Sequence, residues 1–235
     1  MLGHSPSVVT SGLALALDAA NTKSYPGSGA TWTDLSGNGL TGTINNAPVF
    51  SNSVGGNFTF NGTSSTVSFT RKRFTAGLTY AAWIKTTSAK NTATYTTTTA
   101  NPIVGDTNNA VWNGFGVHNG KLRYCYYNRA GSAPINSDST ASVNTGSWIN
   151  VVVTHSYTDT AKLYINGVLD STFNVATTGA TDPWAQYLAA DRIGAGYGSA
   201  DFFNGSIAQV TLYSADLTAA QVLQNFNALR GRFGL

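Results

Sequence analysis

A chain of 235 residues with 42% apolar, 11% aromatic and only 10% charged side chains is too apolar for a disordered segment. Its wealth of Gly, Thr, Asn and Ser does not suit a helical one. The net charge of +3 is scattered, which excludes the basic stripe with interleaved aromatics that a nucleic-acid surface needs. Every acidic side chain is an Asp and no Glu occurs, so the paired-carboxylate chemistry of a Glu-based glycosidase is disfavoured.

Cys125 is the lone cysteine, so no intrachain disulfide forms and a reducing folding compartment is favoured. Residues 1–11 are small, polar and aperiodic apart from Val8 and Val9, and are expected as an arm outside a single domain spanning 12–235. Leu13–Leu17 alternates with alanine before Asp18 and follows no Lys or Arg, so it reads as a strand rather than a secretory leader. No apolar run reaches the roughly 18 residues that a membrane span needs.

A long loop carries turn chemistry at Tyr25–Gly29 and Asp34–Gly39. Phe58–Asn61 and Thr66–Phe69 form two short strands around Asn61-Gly62, and the basic triplet Arg71-Lys72-Arg73 follows on an expected solvated loop. A docking patch for an acidic partner is the sharper alternative for that triplet. Leu78–Lys85 alternates cleanly, with Leu78, Tyr80, Ala82 and Ile84 on one face. The Thr-rich stretch Thr86–Asn101 is read as a surface loop in preference to a β-ribbon. Asn119-Gly120 and Asn166-Gly167 each separate strand-like runs, the signature of type I′ hairpins. Ile149, Val151, Val152 and Val153 mark a central strand, and Phe203–Tyr213 the last one. The period then becomes helical: Thr218 and Gln221 form a capping-box pattern, the helix runs from about Ala219 to Leu229, and Gly231 suits its C-cap. Some dozen short strands with one terminal helix predict an all-β, antiparallel two-sheet sandwich of jelly-roll type.

The residues from Leu17 onward resemble the laminin-G-like, concanavalin A-like lectin jelly-roll family. The resemblance is carried by Leu17–Asn21, Ser24–Gly29, Trp32, Asp34–Gly39, the strand Leu78–Lys85, Trp148–Leu169, and the closing block Arg192–Arg232. That closing block is similar to structural proteins of tailed bacteriophages. The resemblance implies a non-enzymatic virion protein, either a capsid decoration or a fibre-like adhesin contacting host glycans, made in the host cytoplasm. Its partners would be other virion subunits, in a homo-oligomer, with the arm and Phe233–Leu235 docking on a neighbour. The rival reading is a carbohydrate-binding module or lectin at a cell surface.

Two sites follow from residue chemistry. Sugar sites combine an aromatic face with a few polar groups, which points to Trp184, Tyr187, Tyr197 and Trp112 on Gly- and Asp-rich loops; Trp32, Trp83 and Trp148 are expected in the core. Several relatives bind calcium through loop oxygens, so Asp34 and Asn38 are calcium candidates, against the plainer role of Asp34 as a turn cap. His155 is expected as a satisfied edge residue and Cys125 as a small packed one; no catalytic residue is assigned.

Overall fold

Alternation of apolar and polar side chains decides which face each strand buries. In the computed structural model, which describes residues 6–92, 100–107, 113–128, 133–156, 160–174, 188–197 and 201–235, that alternation yields sixteen strands and one α-helix among the described residues. In chain order they are β1 (Leu13–Asp18), β2 (Thr31–Trp32), β3 (Gly42–Asn45), β4 (Val49–Ser51), β5 (Asn57–Asn61), β6 (Thr66–Arg73), β7 (Gly77–Lys85) and β8 (Asn101–Gly105). There follow β9 (Asn113–His118), β10 (Lys121–Asn128), β11 (Ala133–Ser142), β12 (Ile149–Ser156), β13 (Thr160–Ile165), β14 (Val168–Asn174), β15 (Ala189–Ile193), β16 (Asn204–Tyr213) and α1 (Ala219–Leu229).

Two antiparallel sheets result. The first runs β14-β13-β12-β7-β16-β5-β4, with β1 also paired to β16; the second runs β11-β10-β9-β8-β15-β6-β3-β2. The expected sandwich is therefore present. Leu15, Leu17, Phe58, Phe60, Tyr80, Val151 and Val153 of the first sheet meet Trp32, Val67, Phe115, Leu122, Tyr124 and Ile193 of the second in one buried core. At both Asn-Gly hairpins the two turn residues have positive φ: 49° and 75° at Asn119 and Gly120, 50° and 76° at Asn166 and Gly167. Those are the type I′ dihedrals expected. Asn61-Gly62 differs, because β5 and β6 lie in opposite sheets. There the Asn61 side-chain Oδ1 accepts the N–H groups of Thr63, Ser64 and Ser65 and turns the chain from one layer to the other.

Both edges at one side of the sandwich are joined by a side chain. Asp170 on β14 accepts the Thr140 and Ala141 N–H groups of β11 at 2.6 and 2.9 Å, which occupies donors that an open edge would offer to another chain.

β7 is buried on both faces. Its second face carries Ala81 and Trp83, covered by α1, the N-terminal segment and a 3-10 turn at Arg230–Phe233. The helix starts at the capping box foreseen, with the Gln221 N–H donating to Thr218 Oγ1 at 3.3 Å and the Thr218 N–H to Gln221 Oε1 at 2.9 Å. It ends at Leu229 as expected, but Gly231 is not its left-handed cap, since Arg230 follows in a helical conformation. The chain winds on through Phe233 and ends in a left-handed Gly234 with φ 75°, because that extra turn brings Phe233 onto Trp83, ring centroids 3.9 Å apart.

Four other expectations are corrected. The N-terminal arm is tied to the domain from Ser7: Val9 is buried, its N–H donates to Asn225 Oδ1 at 2.7 Å, and Tyr213 Oη donates to its carbonyl. Residues 1–5 lie outside the described part. The tail does not leave Phe233 free for a neighbour, since its ring is stacked on the chain's own Trp83. Arg71-Lys72-Arg73 closes β6 instead of forming a loop, and Arg71 is held by a two-pronged bond to the fully buried Asp106. In the Thr-rich stretch, residues 86–92 carry no strand, 93–99 lie outside the described residues, and Asn101 opens β8.

The fourth concerns His155, which is satisfied but not at an edge. It faces the interior from β12, between β7 and β13, with Nδ1 2.7 Å from Tyr124 Oη. Burial holds its pKa down at about 4. The folded pKa thus lies below the unfolded value of 6.5, and the unfolded chain binds the extra proton between those values. Stability therefore falls as pH drops from 6.5 towards 4, by roughly 3 kcal/mol in full. His155→Gln keeps an acceptor for Tyr124 but cannot titrate there, so melting temperatures measured across that window should show a flatter profile than the wild type.

Candidate functional site

The cover over the first sheet ends part-way along its outer face. Beyond Phe233 the lower ends of β7, β5 and β16 are left open as a groove of about 310 Å³. Thr59 and Ser206 are register partners on its floor, their hydroxyls 3.0 Å apart, and Lys85 pairs with Ser206 from the other side. Gly205 lets the floor come close to the rim: at φ 149°, a Cβ there would sit 2.5 Å from the Lys85 carbonyl oxygen. One wall is Ser51, Ser53 and Asn57, with the Asn57 amide donating to the Ser53 carbonyl at 3.0 Å and to Ser53 Oγ at 2.8 Å. The other is Thr86, Thr87, Gly146 and Trp148. Thr86 is fixed by donating its hydroxyl to the Asn204 carbonyl at 2.6 Å.

Trp148 is the aromatic face of this groove. It is half-buried and packs against Phe233, ring centroids 5.3 Å apart, so the tail that covers Trp83 also props the indole at the groove's edge. The described lining offers hydroxyls, amides, one ammonium and one indole, and no carboxylate, imidazole or thiol. That donor and acceptor set matches a polyhydroxylated ligand, whose hydroxyls pair with short polar side chains while one ring face rests on the indole.

The sequence candidates fall elsewhere. Trp112, Trp184 and Tyr187 lie outside the described residues. The described residues beside them, Thr107 and Leu188, are fixed to Asp191 and to the Phe74 N–H, at the end of the sandwich where β6 finishes, away from the groove. Tyr197 is half-buried on the link from β15 to β16 and is not in the groove's lining. Trp32 and Trp83 are buried as expected; Trp148 is not in the core. Its position was legible in one respect: Ile149, Val151 and Val153 alternate inward, so the residue before Ile149 must point outward.

Asp34 and Asn38 brace a loop. The Asp34 carboxylate accepts the N–H groups of Ala16 and Ser36 at 2.9 Å each, Leu40 at 3.1 Å, and the Ser36 hydroxyl at 2.7 Å. The Asn38 amide donates to the Leu13 carbonyl at 2.9 Å. Cys125 is fully buried, and burial pushes its thiol up to about 12, so it is inert packing.

With this geometry in hand, the comparisons are informative. The sequence pattern of the concanavalin A-like lectin/glucanases superfamily, laminin-G type, matches residues 61–223. The chain belongs to this superfamily. No curated protein matches it significantly. Among solved structures, the laminin-G-like fold is shared with domain 4 of AbnA, an extracellular family GH43 arabinanase from Geobacillus stearothermophilus solved with arabinotriose: TM-score 0.65, 16% identity, 91% of this chain and 97% of that one. It is also shared with the receptor binding domain of botulinum neurotoxin C/D mosaic serotype, at TM-score 0.65 and 12% identity over 93% of this chain and 51% of that one. The binding domain of Paraclostridial Mosquitocidal Protein 1 is similar too, at TM-score 0.62 and 14% identity over 92% and 52%. The chain therefore spans about half the length of the two toxin domains. At these identities the likeness establishes the fold.

Asp34→Ala should strip four donors of one acceptor and lower unfolding stability by about 1–3 kcal/mol. Denaturant titration measures it, and an unchanged midpoint would contradict the bracing role.

Proposed function

We propose that this laminin-G-like domain is a non-catalytic glycan-recognition module that holds an oligosaccharide in the groove between Asn57 and Trp148. The observation that carries the reading is Trp148, propped half-exposed by Phe233 beside a floor of paired hydroxyls. Rigid aromatic surface with preset polar partners binds without first ordering itself. The lining supplies neither an acid nor a base of the kind that glycoside hydrolysis uses. An arabinanase module of this fold in complex with arabinotriose supports the sugar reading, and the toxin receptor-binding domains support a recognition role more broadly.

The closing block's likeness to phage structural proteins favours display on a virion, as a fibre-like adhesin reaching host glycans; an extracellular lectin is the alternative setting. A capsid-cementing role has less support, because Val9 and Phe233 are engaged by the chain's own outer face. The reading assigns no calcium to Asp34, whose carboxylate already accepts four donors from its own loop and β1.

On a glycan array followed by titration calorimetry, wild type should bind some saccharide with micromolar to millimolar affinity, unchanged by EDTA. Trp148→Ala should weaken it roughly tenfold or more while the domain stays folded, at a melting temperature lowered by the lost contact with Phe233. A flat array, or release of reducing sugar, would overturn the proposal.

A further inference from the structure

We infer that the groove prefers an acidic saccharide, one bearing a carboxylate or sulfate, with Lys85 as the selecting residue; the inference rests on the glycan reading above. Lys85 ends β7 at the point where the strand leaves the cover of α1, and it is the exposed residue of a strand otherwise buried throughout. Its side chain belongs to a lining of Ser, Thr, Asn, Gly and Trp that contains no carboxylate. No ion pair engages it among the described residues. The groove is thus a neutral polar wall around a single positive charge.

A neutral sugar placed on Trp148 would leave that ammonium to water. An anionic group would take it up as a charge-assisted bond, and the neighbouring exposed hydroxyl of Thr87 is of the type that supplements such an anion. Because Lys85 is exposed, the gain is modest and screened: about five- to tenfold in affinity at low ionic strength, fading as salt is raised.

The test uses matched saccharides. Oligogalacturonate and its carboxyl-reduced counterpart form one pair, and a heparin-derived tetrasaccharide and its desulfated counterpart form the other. Each is titrated against the full chain and its Lys85→Ala, Lys85→Glu and Trp148→Ala variants. The expected result is tighter binding of at least one acidic member than of its neutral twin by about five- to tenfold, the difference vanishing in Lys85→Ala and reversing in Lys85→Glu. The pair that shows it tells carboxylate from sulfate. Trp148→Ala should weaken both members of that pair alike. Equal affinity within both pairs, or a preference that survives Lys85→Ala, overturns the acidic selectivity and leaves the glycan reading standing. Failure of all four saccharides to bind, with a neutral glycan still bound on an array, also overturns the selectivity; failure of every glycan overturns both.

Discussion

Everything on the outer face of the first sheet depends on Trp83. A strand at the centre of a sandwich is expected to bury one face, yet β7 is buried on both as far as Ile84, and its second face carries the largest side chain the sequence has. That indole is clamped by Phe233 at 3.9 Å and Phe226 at 5.7 Å, both stacked within 16° of parallel. Stacking adds about 0.5–1.5 kcal/mol per pair to the burial itself. Against this stands the indole N–H, which is buried without an acceptor among the described residues and costs on the order of 1–3 kcal/mol. Burial of the large apolar surface, not hydrogen bonding, keeps Trp83 in place.

The chain's own ends supply the clamp. Arg232 donates to the carbonyls of Val54 and Gly56 and to Asp18 at 2.6–2.7 Å, and its guanidinium carbon lies 4.9 Å from the Phe233 ring centroid. The tail is therefore pinned to two earlier segments, the end of β1 and the turn at 54–56, before it turns at Gly234. Val9 secures the opposite margin through Asn225 and Tyr213. The cover has a fixed limit, and Trp148 stands at that limit. The same ring that completes the packing over Trp83 positions the exposed indole of the groove, so fold and site share one contact.

The sequence reads well where a rule is local. Period-2 alternation located β7, a run of β-branched residues located β12, Asn-Gly pairs located both type I′ turns, and the Thr218 capping box located the start of α1 to the residue. It reads poorly where the outcome depends on distant partners. Gly231 has the chemistry of a helix stop, but the stacking site on Trp83 draws the chain one turn further. Residues 6–11 look featureless until Asn225 and Tyr213 provide partners for Val9. Asn61-Gly62 resembles the hairpin pairs, yet its flanking strands are claimed by different sheets. The candidate site suffers from the same limit. Aromatics on Gly-rich loops, such as Trp184 and Tyr197, stand out in a sequence, whereas Trp148 precedes a run of core valines and is exposed only because the cover stops beside it.

The central claim is that ligand meets Trp148 and not another indole. The chain has five tryptophans, so a two-dimensional nitrogen–proton spectrum of their indole N–H groups, assigned by single Trp→Phe variants, reports on all of them during titration with a saccharide that binds. The Trp148 signal is expected to shift progressively while those of the buried Trp32 and Trp83 stay in place. Shifts confined to Trp112 or Trp184, with Trp148 unmoved, would contradict it and place recognition outside the groove.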